Sequence, residues 1–399
     1  MSPTNLTLKR AAATLGVLGA ASWWAGARAA KRPRLEHYTL PVLDPGAADL
    51  KVLHLADMHF YPGQEWLVDW VRNLSDLDFD LVVSTGDNLN DASGIPLLKR
   101  ALEPLFERPG FFVFGSHDYY ETSAGNPLAY LWRLPEGQRD ADPIEPGTLR
   151  HTQEAAATSS VGPALGNPAD FEVPPSRHGA RRLPSRQIRN FMAEGGWQDL
   201  TNQGARVELI DGRTVAAIGV DDPHIRRDAV PGVPEGWEDA GVVRLGLTHA
   251  PYSRVLDAFA GAGAQLVLAG HTHGGQVCLP WLGALVTNCD LPPAFVSGTF
   301  PWPQPLGAGR IVKVPEDLHG VVSGPATADT SNARFVRDEE AAGSNPSPAE
   351  TAEQAAPLQP APTYVHVSRG LGTARATPWR VFCPPHATLL RLTTRATHP

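Results

Sequence analysis

The sequence predicts an α/β protein built on a sheet covered on both faces. Three observations predict it. Short apolar runs of strand length alternate with stretches of helical spacing. Each of several runs ends in a short polar motif rich in Asp, His and Gly. Two long Pro- and Ala-rich stretches interrupt the rhythm without apolar periodicity of their own.

Taken in order, Leu50 to Ala56 reads as the first buried strand, and Trp66 to Leu74 has helical spacing. Leu81–Ser84 is a second strand, Pro96 to Phe106 a helix, and Phe111 to Phe114 a third strand. Later strands are expected at Val207–Leu209, Val215–Val220, Val242–Leu247, Leu266–Ala269, Tyr364–Val367 and Thr388–Leu392. The stretches 136–184 and 315–362 are too polar and too rich in Pro, Gly and Ala to bury apolar surface, so they are expected as flexible insertions in one domain spanning 37–399.

The N-terminal 36 residues read differently. Lys9 and Arg10 precede an apolar run from Ala11 to Ala27, and Arg28, Lys31, Arg32 and Arg34 follow. The run suits a short membrane anchor or a secretory signal, with Ala27-Arg28-Ala29 as an A-x-A site. The protein is therefore expected at the cell membrane, joined to it by this segment. The basic flank after the run favours a cytoplasmic domain and the signal-like layout favours export, so both sides stay open. A formal net charge of −8 with no basic stripe speaks against a nucleic-acid partner. The three cysteines, Cys278, Cys289 and Cys383, lack CxxC spacing and read as buried thiols.

The polar motifs carry the chemistry. They are Asp57-Met58-His59, Gly86-Asp87-Asn88, Gly115-Ser116-His117-Asp118, Thr248-His249-Ala250-Pro251 and Gly270-His271-Thr272-His273-Gly274-Gly275-Gln276. Period-two alternation puts Asp57 and His59 on the same side of the chain, and likewise His271 and His273. Alone, Asp-x-His describes many surface pairs, and Asp87 after a glycine could simply cap a helix. Five such motifs in one order, each after a strand, point instead to a centre for two divalent cations. Carboxylate with imidazole suits Mn, Fe, Zn or Co rather than Ca. The stretch Asp221-Asp222-Pro223-His224 reads first as a turn, with a place lining the site as the alternative.

These motifs together resemble the calcineurin-like metallophosphoesterase superfamily, and within it the membrane-associated bacterial phosphodiesterases typified by YkuE and YaeI. The resemblance covers about Leu50 to Leu392 without the two insertions, and includes Ser368-Arg369-Gly370-Leu371-Gly372-Thr373. It implies a four-layer α/β/β/α sandwich with the metals at the strand ends. It further implies that Asp57, His59 and His273 hold one metal, that Asp87 bridges, and that His249 and His271 hold the other. His117 would contact the substrate phosphate and protonate the leaving group, with Asp57 or Asp118 as its partner. The expected reaction is hydrolysis of a phosphodiester or phosphomonoester by a hydroxide bridging the two cations, on a substrate of lipid or envelope origin.

Two positions depart from the family pattern. Ser116 stands where relatives carry an Asn ligand; a hydroxyl is a shorter and poorer ligand than an amide oxygen, and Asn88 compensates only if its side chain turns inward. His386, after Pro384-Pro385, stands where relatives often carry Glu. The loss at Ser116 keeps open a different class of function, a membrane-tethered metal-binding or scaffold protein with an impaired site.

Overall fold

The apolar runs pair into two sheets that lie face to face. The structure is a computed structural model, and it describes residues 24–122, 180–279, 283–303, 321–323, 362–375 and 377–395. The strands are β1 Arg34–Leu43, β2 Leu50–Leu55, β3 Leu81–Ser84, β4 Gly110–Phe112, β5 Trp197–Asp199, β6 Gln203–Glu208, β7 Thr214–Gly219, β8 Val243–Leu247 and β9 Leu266–Ala269. They continue with β10 Cys278–Leu279, β11 Gly283–Ala284, β12 Gly298–Trp302, β13 Val321–Ser323, β14 Thr363–Val367 and β15 His386–Thr394. The helices that concern the site are α1 Glu65–Arg72, α2 Ile95–Leu102, α3 Ser116–Tyr119, α4 Ser185–Glu194 and α5 Ser253–Gly261.

One sheet runs β13-β1-β15-β2-β3-β4-β5 and the other β12-β14-β9-β8-β7-β6. Within the first, β2, β3, β4 and β5 are parallel; within the second, β14, β9, β8 and β7 are parallel. Alternation along each strand divides the apolar side chains between two faces. On β3, Leu81 and Val83 join Val52, Leu390, Leu245 and Leu268 in a core between the sheets. Val82, one residue out of phase, faces the other way and packs on Leu67 and Val68 of α1, Leu98 of α2 and Ile188 of α4. On β7, Val215 and Ala217 face the first sheet while Ala216 and Ile218 face Leu256 and Phe259 of α5. The layers are thus helix, sheet, sheet, helix, the four-layer sandwich that the resemblance implies.

Strands β2, β3 and β9 stand where their apolar runs place them. The first strand, β1, was not expected, because Pro41 and the charges at its start hide the pattern. It runs parallel to β15 over most of its length. β13 adds to its other edge from inside the stretch 315–362. Most of both expected insertions lies outside the described residues. So does most of the apolar run Ala11–Ala27. Among the described residues no helix is long and apolar enough to cross a membrane. The end of that run, from Trp24, belongs to a short helical stretch whose Gly26 carbonyl accepts from Arg380 N–H at 3.1 Å.

Glu36 pins β1 to the rest. Tyr38 Oη donates to its Oε2 at 3.2 Å, and the Arg369 guanidinium pairs with Oε1. His386 accepts Arg369 N–H on Nε2 at 3.0 Å, which leaves its proton on Nδ1, 3.0 Å from Glu36 Oε2. So the carboxylate expected at position 386 is supplied from β1. Burial alone would raise the Glu36 pKa, but the His386 hydrogen bond and the charges facing it hold the carboxyl well below its usual range. Burial, helped by Arg369, pushes His386 down to about 4, so near neutral pH the standing cation beside Glu36 is Arg369.

A folded-state pKa below the unfolded one means that the stabilisation is present above the ordinary value of 4.5 and is lost as pH falls below it. Glu36→Gln is therefore expected to lower the unfolding free energy at pH 7 by about 3 kcal/mol and to flatten the acid limb of the stability curve. Urea titrations between pH 3 and pH 7 check it; an unchanged acid limb would show that Glu36 does not carry the linkage.

Candidate metal centre

Every sequence-predicted ligand lies just past the C-terminal end of a parallel strand, on the edge where the two sheets meet. Asp57 and His59 follow β2, Asp87 follows β3, His249 follows β8, and His271 and His273 follow β9. Open α/β sheets bind ligands at this edge because successive chains leave it in different directions and open a crevice. Here two sheets contribute to one crevice.

The side chains form two groups. Asp57, His59 and His273 bring one ligand atom each within 4.8 Å of one another, and Asp87, His249 and His271 do the same. Asp87 Oδ2 faces both groups, 3.6 Å from His59 Nε2 and 3.3 Å from His249 Nε2. His59 Nε2 and His273 Nε2 are 3.2 Å apart, as are His249 Nε2 and His271 Nδ1. Imidazole nitrogens turned on each other at this range share an electropositive ligand better than they share a proton. In the second pair the outer nitrogens are held: His249 Nδ1–H donates to Thr85 O at 2.7 Å, and His271 Nε2–H to Asn288 O at 2.9 Å, while His59 Nδ1 has no partner among the described residues. Such outer partners set the tautomer that leaves the inner nitrogen free to ligate.

The backbone that aims these groups is left-handed. Asp57, His59, Asp87, His271 and His273 all have φ between 48° and 69°. Short polar residues reach this region at lower cost than others, yet each instance still costs on the order of 1–3 kcal/mol. Glycines make room beside them. A Cβ on Gly115 would stand 2.3 Å from Asp87 Oδ1, and one on Gly370 would stand 2.5 Å from Asp57 Cβ.

Charge in the cluster is divided unevenly. Burial opposes ionisation of Asp87, but the imidazoles of His249, His117 and His59 outweigh it and hold its pKa well down. Burial opposes charge on His249, but Asp87, Asp222 and Asp57 together outweigh it and hold its pKa well up. Burial, with Asp87 as a like charge nearby, pushes Asp57 up. Burial pushes His59 down to about 3, and holds His271 and His273 well down. Neutral imidazoles beside an ionised carboxylate are the ligand state that a divalent cation requires. The donor set fits two such ions; the protonation already does at His59, His271, His273 and Asp87, whereas His249 and Asp57 would each release a proton on binding.

Several roles differ from the sequence expectation. Asp118 is not the partner of His117. It accepts four donors of the neighbouring loops: Asp87 N–H (2.8 Å), Gly115 N–H (2.9 Å), Asn88 N–H (3.0 Å) and Asn88 Nδ2 (2.9 Å). Neither is Asp57, whose carboxylate takes the His271 N–H at 3.0 Å. His117 instead has its Nδ1 3.2 Å from the Tyr120 carbonyl, and its own N–H donates to Asp87 Oδ1 at 2.7 Å. Asn88 does not turn inward, since its amide is committed to Asp118 and to Ser84 Oγ. Ser116 opens α3, half-buried, between Gly115 and His117. The 221–224 stretch is both a turn and a wall: Asp222 caps Pro223–Ile225, and the His224 ring lies 4.4 Å from that of His271.

Arg380 escaped the sequence reading. It is fully buried, with Nη2 3.1 Å from His273 Nδ1, and donates to the carbonyls of His273, Arg369 and Gly372 at 3.1, 2.7 and 2.6 Å. Nothing local in the sequence marks a buried arginine that gathers carbonyls from two loops. The three thiols are free. Cys278 and Cys383 both donate to Gly274 O, at 3.2 and 3.5 Å, beneath the same His273 loop.

One family model and several known proteins are similar to the chain. A family model described as calcineurin-like phosphoesterase matches residues 50–275, more than half of the chain and every ligand above. A Bos taurus protein named "Transmembrane protein with metallophosphoesterase domain" is 32% identical over 114 residues, which cover 27% of this chain and 25% of that protein. The chain thus spans about a quarter of the length of that relative. Among solved structures, a protein of Thermus thermophilus aligns at a TM-score of 0.29 and 11% identity, over 56% of this chain and 83% of that one. A dimetal phosphatase of Danio rerio aligns at 0.28 and 12%, over 61% and 90%.

Asp118→Asn is expected to lower the unfolding free energy by at least about 1–3 kcal/mol, because an amide NH2 would face two of the four buried donors and leave both without an acceptor. Denaturant unfolding of the two proteins checks it. Equal stability would mean that the Asp87 and Gly115 loops find acceptors elsewhere.

Proposed function

The chain belongs to the calcineurin-like phosphoesterase family, and from that premise we propose that it hydrolyses a phosphodiester or phosphomonoester with the help of two divalent cations held at the sheet edge. Metal-dependent hydrolysis of phosphoric esters is the chemistry of that family. The observation that carries the reading is the single carboxylate oxygen of Asp87 that faces both ligand groups at 3.3–3.6 Å. In this reading Asp57, His59 and His273 hold the first ion, His249 and His271 the second, and Asp87 bridges. Ser116 stands in the place of a neutral ligand to the second.

Two cations held there would polarise a phosphoryl oxygen and acidify a bound water. The rest is done by this chain's own groups. His117 donates through Nδ1–H to the Tyr120 carbonyl, which leaves Nε2 free for the substrate. Its ring is half-buried and 5.2 Å from that of His59, so it borders the ligand cluster without belonging to it. A protonated Nε2 there can give its proton to the departing alkoxide, a contribution typically worth about 10²–10⁴ in rate. Arg380 holds the His273 loop in register while this happens. Imidazole and carboxylate donors support Mn, Fe, Zn or Co.

The N-terminal apolar segment supports a place at the membrane, as does the printed name of the bovine relative. A lipid-borne or envelope-derived phosphoester fits that place. Intact ligand groups on both sides of Asp87 favour the enzyme over an impaired scaffold.

Turnover of a chromogenic phosphodiester and of a monoester by metal-loaded protein tests the class; no turnover of either with any of the four metals would remove it. His117→Ala is expected to keep both ions and to slow an alkyl-alcohol leaving group by about 10²-fold or more, with a much smaller loss for nitrophenolate. Equal losses for both would leave His117 a phosphate-positioning role.

Removal of residues 1–23 is expected to free the protein from membranes with metal stoichiometry unchanged. The cut stops short of Trp24 because Gly26 docks on Arg380, which in turn holds His273. Fractionation and metal analysis of both forms decide it: a truncated form that stays in the membrane pellet would place the anchor elsewhere.

A further inference from the structure

Asp222 is a buried carboxylate that the proposed reaction does not use. It lies three residues past the end of β7, beside β8, which carries His249 two residues past its own end. The two ends are held level, with Val220 N–H donating to Leu247 O at 3.1 Å. Asp222 has no exposed surface. Its Oδ1 accepts His224 N–H at 2.8 Å. Its Oδ2 is buried and has no hydrogen-bond partner among the described residues. The same turn lays the His224 ring 4.4 Å from His271 and brings His224 Nδ1 within 3.1 Å of Tyr252 Oη. The loop therefore leans on the His249–His271 half of the centre and not on the other.

A buried carboxylate oxygen with no donor is costly, and such groups persist in native structures chiefly where a ligand or ion answers them. The neighbour shows the contrast. Asp221 accepts from Tyr119 Oη at 2.9 Å, Arg227 Nε at 2.7 Å and Asp222 N–H at 2.8 Å, and so is fully answered within the protein. Among the described residues nothing answers Asp222 Oδ2. Burial pushes the Asp222 pKa up to about 7, opposed by His249 and reinforced by Asp87 and by the adjacent Asp221, so two of the charges that act on it are those of the metal centre. This is also the half of the centre where Ser116 replaces the amide ligand of the family.

We infer that Asp222 is an outer partner of the His249–His271 cation, its Oδ2 supplying to that ion's surroundings the anionic oxygen that Ser116 does not provide as a neutral ligand. The oxygen acts from outside the ligand cluster, because Asp222 is not one of the three residues whose ligand atoms fall within 4.8 Å of one another. Outer partners of this kind orient ligands and hold the waters that fill the remaining coordination positions. The assignment rests on the binuclear reading and adds a positioning residue to it.

The test is calorimetric titration of the metal-free full chain with Mn²⁺ alone, with bound metal counted by elemental analysis. Wild type is expected to bind two ions with separable affinities. Asp222→Asn keeps an oxygen for the His224 cap and removes the charge. It is expected to leave the tighter site unchanged and to weaken the other about 10–100-fold. Adding Ser116→Asn to that variant is expected to restore most of the loss, which a merely structural role for Asp222 would not predict. If Asp222→Asn does not fold, Asp222→Ser keeps the capping oxygen and faces the same criterion. Two ions bound by wild type, with both affinities unchanged in the variant, overturn the role of Asp222 alone. Fewer than two ions bound by wild type overturn the binuclear reading and this assignment together.

Discussion

Two buried carboxylates, Asp57 and Asp87, set the terms for the whole edge of this molecule. Neither has appreciable exposed surface, and among the described residues neither is paired with a lysine or arginine. Each is instead surrounded by imidazoles and by backbone N–H groups aimed inward. The cost of that arrangement is visible in the chain itself, where five of the six ligands adopt left-handed backbone. Strain of that kind persists only where the surroundings over-determine it. Here Asp118 ties the Asp87 and Gly115 loops together, and Gly370 and Gly372 press on Asp57 from the other sheet.

The sandwich follows from the same requirement. Neither sheet carries a complete ligand group. The first group joins Asp57 and His59 of one sheet to His273 of the other, and the second joins Asp87 to His249 and His271. The His271 N–H that donates to Asp57 crosses the same gap. Packing between the sheets through Val52, Leu81, Leu245 and Leu268 is therefore what brings the ligands together. Metal affinity and sheet packing are then two readings of one equilibrium, since ions that bind only the closed arrangement stabilise it.

The sequence announces the parts of this that depend on local pattern. Strands such as Leu81–Ser84 and Leu266–Ala269 are uninterrupted apolar runs between polar motifs, and they are buried on both faces. The ligand residues are legible because spacing of two at a strand end places side chains together regardless of what lies beyond. Elements without such a signal were lost. Pro41 breaks the pattern of β1, and α5 begins directly after the Pro251 stop, where Ser253 offers little sign of a new helix. The roles of Asp118, Arg380 and Tyr120 depend on backbone groups brought from distant positions, and the identity of a residue does not encode which carbonyl it will meet. The tautomer of His117, set by a backbone oxygen, is of this kind.

The two departures from the family pattern show how the centre tolerates change. At His386 the replacement is visible: Glu36, from the strand least legible in the sequence, places its carboxylate 3.0 Å from His386 Nδ1 and pairs with Arg369 of the same loop. The negative charge is kept, although the position that supplies it has moved across the sheet. Ser116 poses the same problem at the ligand cluster, and the unanswered oxygen of Asp222 lies on the side where the shortfall falls. Both cases suit a centre constrained by its total charge and by the geometry of the sheet edge, more than by the residue at each motif position. A motif match scores Ser116 and His386 as losses one by one. The electrostatics of the assembled edge depend on Glu36 and Asp222 as well, and those residues lie far from either motif in the chain.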